Sequence, residues 1–355
     1  MQSLVRWIAV VLVSGPAVLT AQAAFNALYV FGDGVSTTTA IIDPSVAYLY
    51  YGNRYCNGRV WVEVLAQRQG LTYDSSNNLS YFGQYSPNLV TNVNQFSAPT
   101  NADASLFVVW VNDADFVWDM SNIYPSTSLD TWNNAISNSL ANHLTAIQTL
   151  YAKGARTLIM PNAVDITDVP EYSGMSAGDR SFVLGRVVYF NAGFATMLNQ
   201  ARASLPGLTI YAPDFFALLE GLVAYPGNYG FINVTSDAID DGYTALDGPG
   251  ANYLFWDYQD PTAKGHEVMA DTVQQLISPV TIGNLTLLDG SNRLDIASIP
   301  LGLNGFVDGS SDLGAGTWAS VTNFNGTSAT QAIFVPASDP WQFYRLRFPF
   351  DWSWP

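Results

Sequence analysis

The stretch FNALYVFGDGVS, Phe25–Ser36, decides the fold. Its first seven residues form an apolar strand, which runs into Gly32-Asp33-Gly34. A strand ending in a glycine-bearing turn is a common opening for an α/β domain. Working outward, Arg59–Gln69 has helical spacing, and Ser105–Val111 (SLFVVWV) is a continuous apolar run. Such a run marks a strand buried on both faces. Leu129–Lys153 places Trp132, Ile136, Leu140, Leu144, Ile147 and Leu150 at helical spacing, and Gly154 stops it. Strand Arg156–Met160, helix Phe182–Leu205, strand Leu208–Ala212 and helix His266–Leu276 follow. This alternation predicts a parallel sheet with helices on both faces over residues 25–278. Sites in such sheets lie beyond the carboxyl ends of the strands, where Gly34 and Asn112 fall.

The flanks read differently. Met1–Ala24 has the form of an export signal: Arg6, an apolar run over Trp7–Val13, a break at Ser14-Gly15-Pro16, and the small-x-small site Ala21-Gln22-Ala23. The expected location is secreted, periplasmic or cell-envelope. No later segment reads as a membrane span. From residue 279 to 355 helical spacing disappears. Short strand-like runs alternate with Gly, Asn, Asp and Ser, which predicts a small all-β module that could mediate surface or protein association.

Composition narrows the chemistry. The 355 residues carry 13 Lys plus Arg against 29 Asp plus Glu, a net charge of −16. A chain this acidic is no general nucleic-acid binder, because phosphate contacts need cations. One cysteine, Cys56, excludes a disulfide framework, and the thiol reads as inert and buried. Two histidines, His143 and His266, limit where imidazole chemistry can occur.

Several ordered blocks now carry a resemblance. Phe31-Gly32-Asp33-Gly34-Val35-Ser36 looks like F-G-D-S-L-S. Asn57-Gly58-Arg59-Val60-Trp61 looks like N-G-R-V-W. Gly83 stands at a second-block glycine, and Trp110-Val111-Asn112-Asp113 looks like G-x-N-D. Phe255-Trp256-Asp257-Tyr258-Gln259-Asp260-Pro261-Thr262, with His266, looks like F-W-D-x-x-H-P-T-x-x-x-H. Residues 25–278 thus resemble the GDSL/SGNH hydrolases, which implies a flavodoxin-like sheet and ester hydrolysis. The resemblance further implies a serine nucleophile, a histidine base oriented by an aspartate three residues earlier, and an oxyanion hole of two backbone N–H groups and an asparagine.

Carried over position by position, the nucleophile is Gly34 and the base is Asp260, while Asp257 is retained. The hole would be Gly34, Gly83 and Asn112. Asp33, Ser36, Trp110, Asp113 and His266 are expected to line the site, with Trp110 narrowing the acyl pocket or offering a stacking face. Ser36 with His266 is a possible substitute pair, although each also reads as a capping or packing residue. The Asp257/Asp260 pair admits a structural loop, an oxygen-ligand metal site with Asp33 or Asn112, or a water-activating base. Asp113 and Asp115 read as loop carboxylates, His143 as structural, and Trp61, Trp118 and Trp132 as core. No cofactor or metal is expected. The expected ligand is a small acyl ester or glycan. The leading expectation is a ligand-binding relative that lacks Ser–His chemistry. The alternatives are a hydrolase with a non-standard base and a structural surface protein.

Overall fold

The computed structural model describes residues 5–11, 25–314, 316–337 and 343–355. In chain order the strands of the first region are β1 (Val5–Val11), β2 (Leu28–Gly32), β3 (Leu106–Trp110), β4 (Thr157–Ile159), β5 (Thr209–Tyr211), β6 (Asn233–Asp237) and β7 (Tyr253–Phe255). The helices are α1 (Trp61–Arg68), α2 (Ser86–Gln95), α3 (Asn112–Asn122), α4 (Leu129–Ala152), α5 (Ala177–Ser204), α6 (Phe215–Ala224) and α7 (Ala263–Ile277). Six further strands follow: β8 (Thr281–Leu288), β9 (Ser291–Ala297), β10 (Asn304–Ser310), β11 (Ala319–Asn325), β12 (Thr330–Pro336) and β13 (Phe343–Pro349). The chain forms two compact units. One comprises residues 25–64, 73–270 and 353–355, the other residues 65–72 and 271–352 together with the N-terminal strand.

The first unit is built on a parallel sheet ordered β2-β3-β4-β5. All five residues of β3 are buried, as its unbroken apolar run requires. Outside β2 the segment 78–81 runs alongside: the Leu79 N–H donates to the Val30 carbonyl at 2.8 Å and the Tyr81 N–H to that of Gly32 at 3.3 Å. The chain therefore leaves β2 to one side and returns to β3 on the other. That creates a topological switch point between β2 and β3, where ligands bind in open α/β sheets.

Two long helices cover the sheet. The Ser128 hydroxyl caps α4 through the Thr131 N–H, and Ser176 caps α5 through the Asp179 N–H. Gly154, at φ +100°, turns the chain after α4 in a conformation that suits glycine. Gly193 on α5 lets the Leu140 side chain approach closely, and Trp132 packs edge-on to Phe182. By length and composition alone α5 could cross a membrane, contrary to the expectation that no later segment would. Its buried residues include the stripe Val183, Val187, Phe190, Phe194 and Leu198. Helices α2, α3 and α6 and strands β6 and β7 go beyond the sequence expectations.

The second unit has two antiparallel sheets, β1-β13-β10-β11 and β12-β9-β8. Leu294, Ile296 and Val335 from one meet Val307, Phe324, Leu346 and Phe348 from the other in one core, the arrangement of a sandwich. Asp308 on β10 is 3% exposed and bonds Arg345 and Arg347 of β13. Of the expected export signal, the cleavage residues Ala21–Ala23 lie outside the described residues, and the backbone of Val5–Val11 pairs with β13.

Candidate active site

A cavity of about 220 Å³ lies beyond the carboxyl ends of β2 to β5. Each strand sends its following residues there. Asp33 and Gly34 come after β2, Asp113 and Ala114 after β3, Val164 after β4 and Phe215 after β5. The far walls are apolar: Val117 from α3, Leu218, Leu219 and Leu222 from α6, and Met269 from α7.

The polar end starts with the Gly34 turn. Asp33 caps it by accepting the Val35 N–H at 3.1 Å. Gly34 and Gly83 both border the cavity, and their N–H groups donate to no group among the described residues. Gly83 has φ +74°, and a Cβ there would meet nothing within 4 Å. A Cβ on Gly34 would stand 3.8 Å from Asp260 Oδ1 and 3.3 Å from the Phe82 ring. The positions of a nucleophile and a base thus face each other across the cavity mouth.

Asp257 lies behind Asp260 and is held firmly. It accepts the Tyr50 hydroxyl at 2.9 Å, the Gln259 N–H at 2.9 Å and the Asp260 N–H at 2.7 Å. Burial holds both carboxyls above the usual carboxylate range, and for Asp260 the neighbouring Asp257 and Asp33 add to the effect. Burial also lifts Asp33 to about 7 and raises Asp113 well above its ordinary value, with Asp33 the next largest influence on Asp113. The site thus gathers several buried carboxyl groups whose proton affinity burial raises.

Several expected site residues stand elsewhere. Ser36 is fully buried, and its hydroxyl accepts the Trp61 indole N–H at 3.0 Å. His266 is also fully buried, has no hydrogen-bond partner, and burial holds its pKa near about 3. Neither borders the cavity. Ser36 packs against Gly32 at the end of β2 and is held by Trp61, while His266 lies in the first turns of α7. Asn112 opens α3, but its amide donates to the Pro161 carbonyl at 2.9 Å, and the side chain sits behind the cavity wall. Of the three positions expected to form the hole, Gly34 and Gly83 border the cavity and Asn112 does not.

Other expectations change too. Asp113 and Asp115 belong to the first turn of α3 and are buried. Their sequence hides a helix because its inner face is acidic. Trp118 is no core residue: it is 48% exposed at the cavity edge, with its ring stacked on Tyr85. Trp110 is 3% exposed, lies edge-on to Trp61 and Phe215, and forms wall without closing the cavity. Trp61 and Trp132 are fully buried, as is His143 on α4. Cys56 is a buried free thiol whose pKa burial raises. The carboxylates of Asp165, Asp168 and Glu220 lie close enough together to share an ion. They form a group distinct from the Asp257/Asp260 pair and have no counterpart in the sequence expectations.

The GDSL-like lipase/acylhydrolase family model matches residues 28–273. The chain belongs to this family. Its α/β unit is similar to a GDSL esterase/lipase of Arabidopsis thaliana, 28% identical over 129 residues, 36% of this chain and 37% of the relative. The thermolabile hemolysin of Vibrio parahaemolyticus is 22% identical over 277 residues, 69% of this chain and 62% of that protein. The chain thus spans a little over a third of the first relative and about three fifths of the second. Among solved structures, a lipase from a goat rumen metagenome is 12% identical with a TM-score of 0.42, covering 71% of this chain and 97% of its own.

Proposed function

We propose that this family member binds an acyl- or alkyl-chain ligand in its apolar cavity and has a degenerate triad, so that it does not hydrolyse esters by the serine route. One observation carries the reading: Gly34 and Asp260 line the same largely apolar cavity, and a Cβ at position 34 would stand 3.8 Å from Asp260 Oδ1. The place for the chemistry is kept, while the residues at its two key positions are glycine and a carboxylic acid. Loss of a triad member costs on the order of 10⁶ in kcat, and roughly 10³–10⁴ over water remains from the hole and binding. The free Gly34 and Gly83 N–H groups suit an ester carbonyl. Mono-octanoylglycerol followed by calorimetry and by octanoate release tests this. Saturable binding without release is expected; absence of binding contradicts it.

A second reading rests on the Asp257/Asp260 contact, in which Asp260 acts as base toward water. A base must be ionised, so its rate would rise with pH as Asp260 loses its proton. Octanoate release that climbs with pH and disappears in Asp260→Ala would establish this reading over the first. We also infer that the chain is exported. The mature N-terminus would then begin near Ala24 or Phe25, which N-terminal sequencing of the native protein checks.

A further inference from the structure

The polar end of the cavity is chemically one-sided. Asp33, Asp113 and Asp260 line it, and no lysine, arginine or histidine does. Each of the three is more than nine-tenths buried. None forms an ion pair with a described residue. Asp33 and Asp113 each accept a backbone N–H, from Val35 and Val164 respectively. Aromatic rings of Phe82 and Trp110 stand in the same wall.

We propose that the ligand of this cavity is a cationic amphiphile, a chain ending in an amine or quaternary ammonium group. The proposal rests on the chain-binding reading above and adds the charge of the head group. Buried carboxyl groups without counter-charges can be neutralised in two ways. Protons can do so in the free protein, because burial disfavours the charged form and raises these groups. A cation brought in by the ligand does so instead, and its arrival displaces a proton. Aromatic faces add attraction for a cation, most of all where water is excluded. An anionic head meets the opposite situation, because it holds the acids in their protonated form and finds no cation. A neutral head keeps only the apolar term from the chamber.

Three probes of equal chain length separate these cases: octyltrimethylammonium, 1-octanol and octanoate. Each is titrated below its micellar concentration into the unmodified protein at pH 6. The titrations are repeated in buffers of different ionisation enthalpy, so that proton release is counted. The cation is expected to bind at least tenfold more tightly than octanol and to release protons, which octanol does not. Octanoate is expected to bind most weakly. Asp33→Asn and Asp113→Asn should each lower the affinity for the cation more than that for octanol. Octanol binding as tightly as the cation, or octanoate binding most tightly, overturns the cationic head group and leaves the chain-binding reading in place. If none of the three binds, both readings fall.

Discussion

At Gly34 and Gly83 two glycines serve opposite needs. Gly83 is at φ +74° with open space around a would-be Cβ, so its requirement is purely conformational. Gly83→Ala should cost about 1 kcal/mol in denaturant unfolding. Gly34 has no such requirement. A methyl group there would meet the Phe82 ring at 3.3 Å, and Gly34→Ala should change stability by less than that. Ser36 makes the third residue-scale prediction. Its hydroxyl is the partner of the Trp61 indole N–H. Ser36→Ala should therefore cost about 1–3 kcal/mol through a buried unpaired donor, with ligand affinity unchanged. Loss of ligand binding without loss of stability would return Ser36 to the site. The letters at positions 34, 36 and 260 were legible in the sequence. That 34 and 260 come together followed from the family resemblance and not from local spacing, which carries no information about contacts more than 200 residues apart; that 36 turns to Trp61 was not legible.

Among the elements, burial pattern decided what could be read. The unbroken apolar run of β3 and the helical spacing of α4 are strong local signals, and both appear where expected. Helix α3 was illegible because Asp113, Asp115 and Asp119 form part of its buried face. An acidic inner face imitates a loop, and the bonds that Asp113 receives from Val164 and Asp115 from Ser86 and Ser139 help explain how it is tolerated. Strand β6 (NVTSD) lacks apolar alternation for a similar reason. In the second unit Asp308 sits buried between Arg345 and Arg347, with Arg345 over the Trp318 ring and Arg347 over that of Phe306. Asp308→Ala would leave two guanidinium groups without their anion and should cost about 3–5 kcal/mol. A loss below 1 kcal/mol would show that the arginines are solvated instead.

The whole molecule combines a family fold with an unusually acidic site, and its pH response should show this. Burial lifts Asp33 and Asp119 to about 7, against 3.8 for a free side chain. Folded protein then keeps protons that the unfolded chain has released. The stability these two groups contribute is therefore fullest below about pH 4 and is lost as pH rises through about 7. Each such group contributes a slope of up to about 1.4 kcal/mol per pH unit within that window. Asp33→Asn should flatten the fall measured by chemical denaturation, and an unchanged profile would show that Asp33 is ionised in the fold. The central claim is that the ester-hydrolase framework is intact around two replaced groups, and restoring them tests it most directly. Gly34→Ser combined with Asp260→His should hydrolyse 4-nitrophenyl butyrate well above the parent protein, while either single change should not. A folded double variant as inactive as the parent, or a parent already as active as the double variant, would contradict the account.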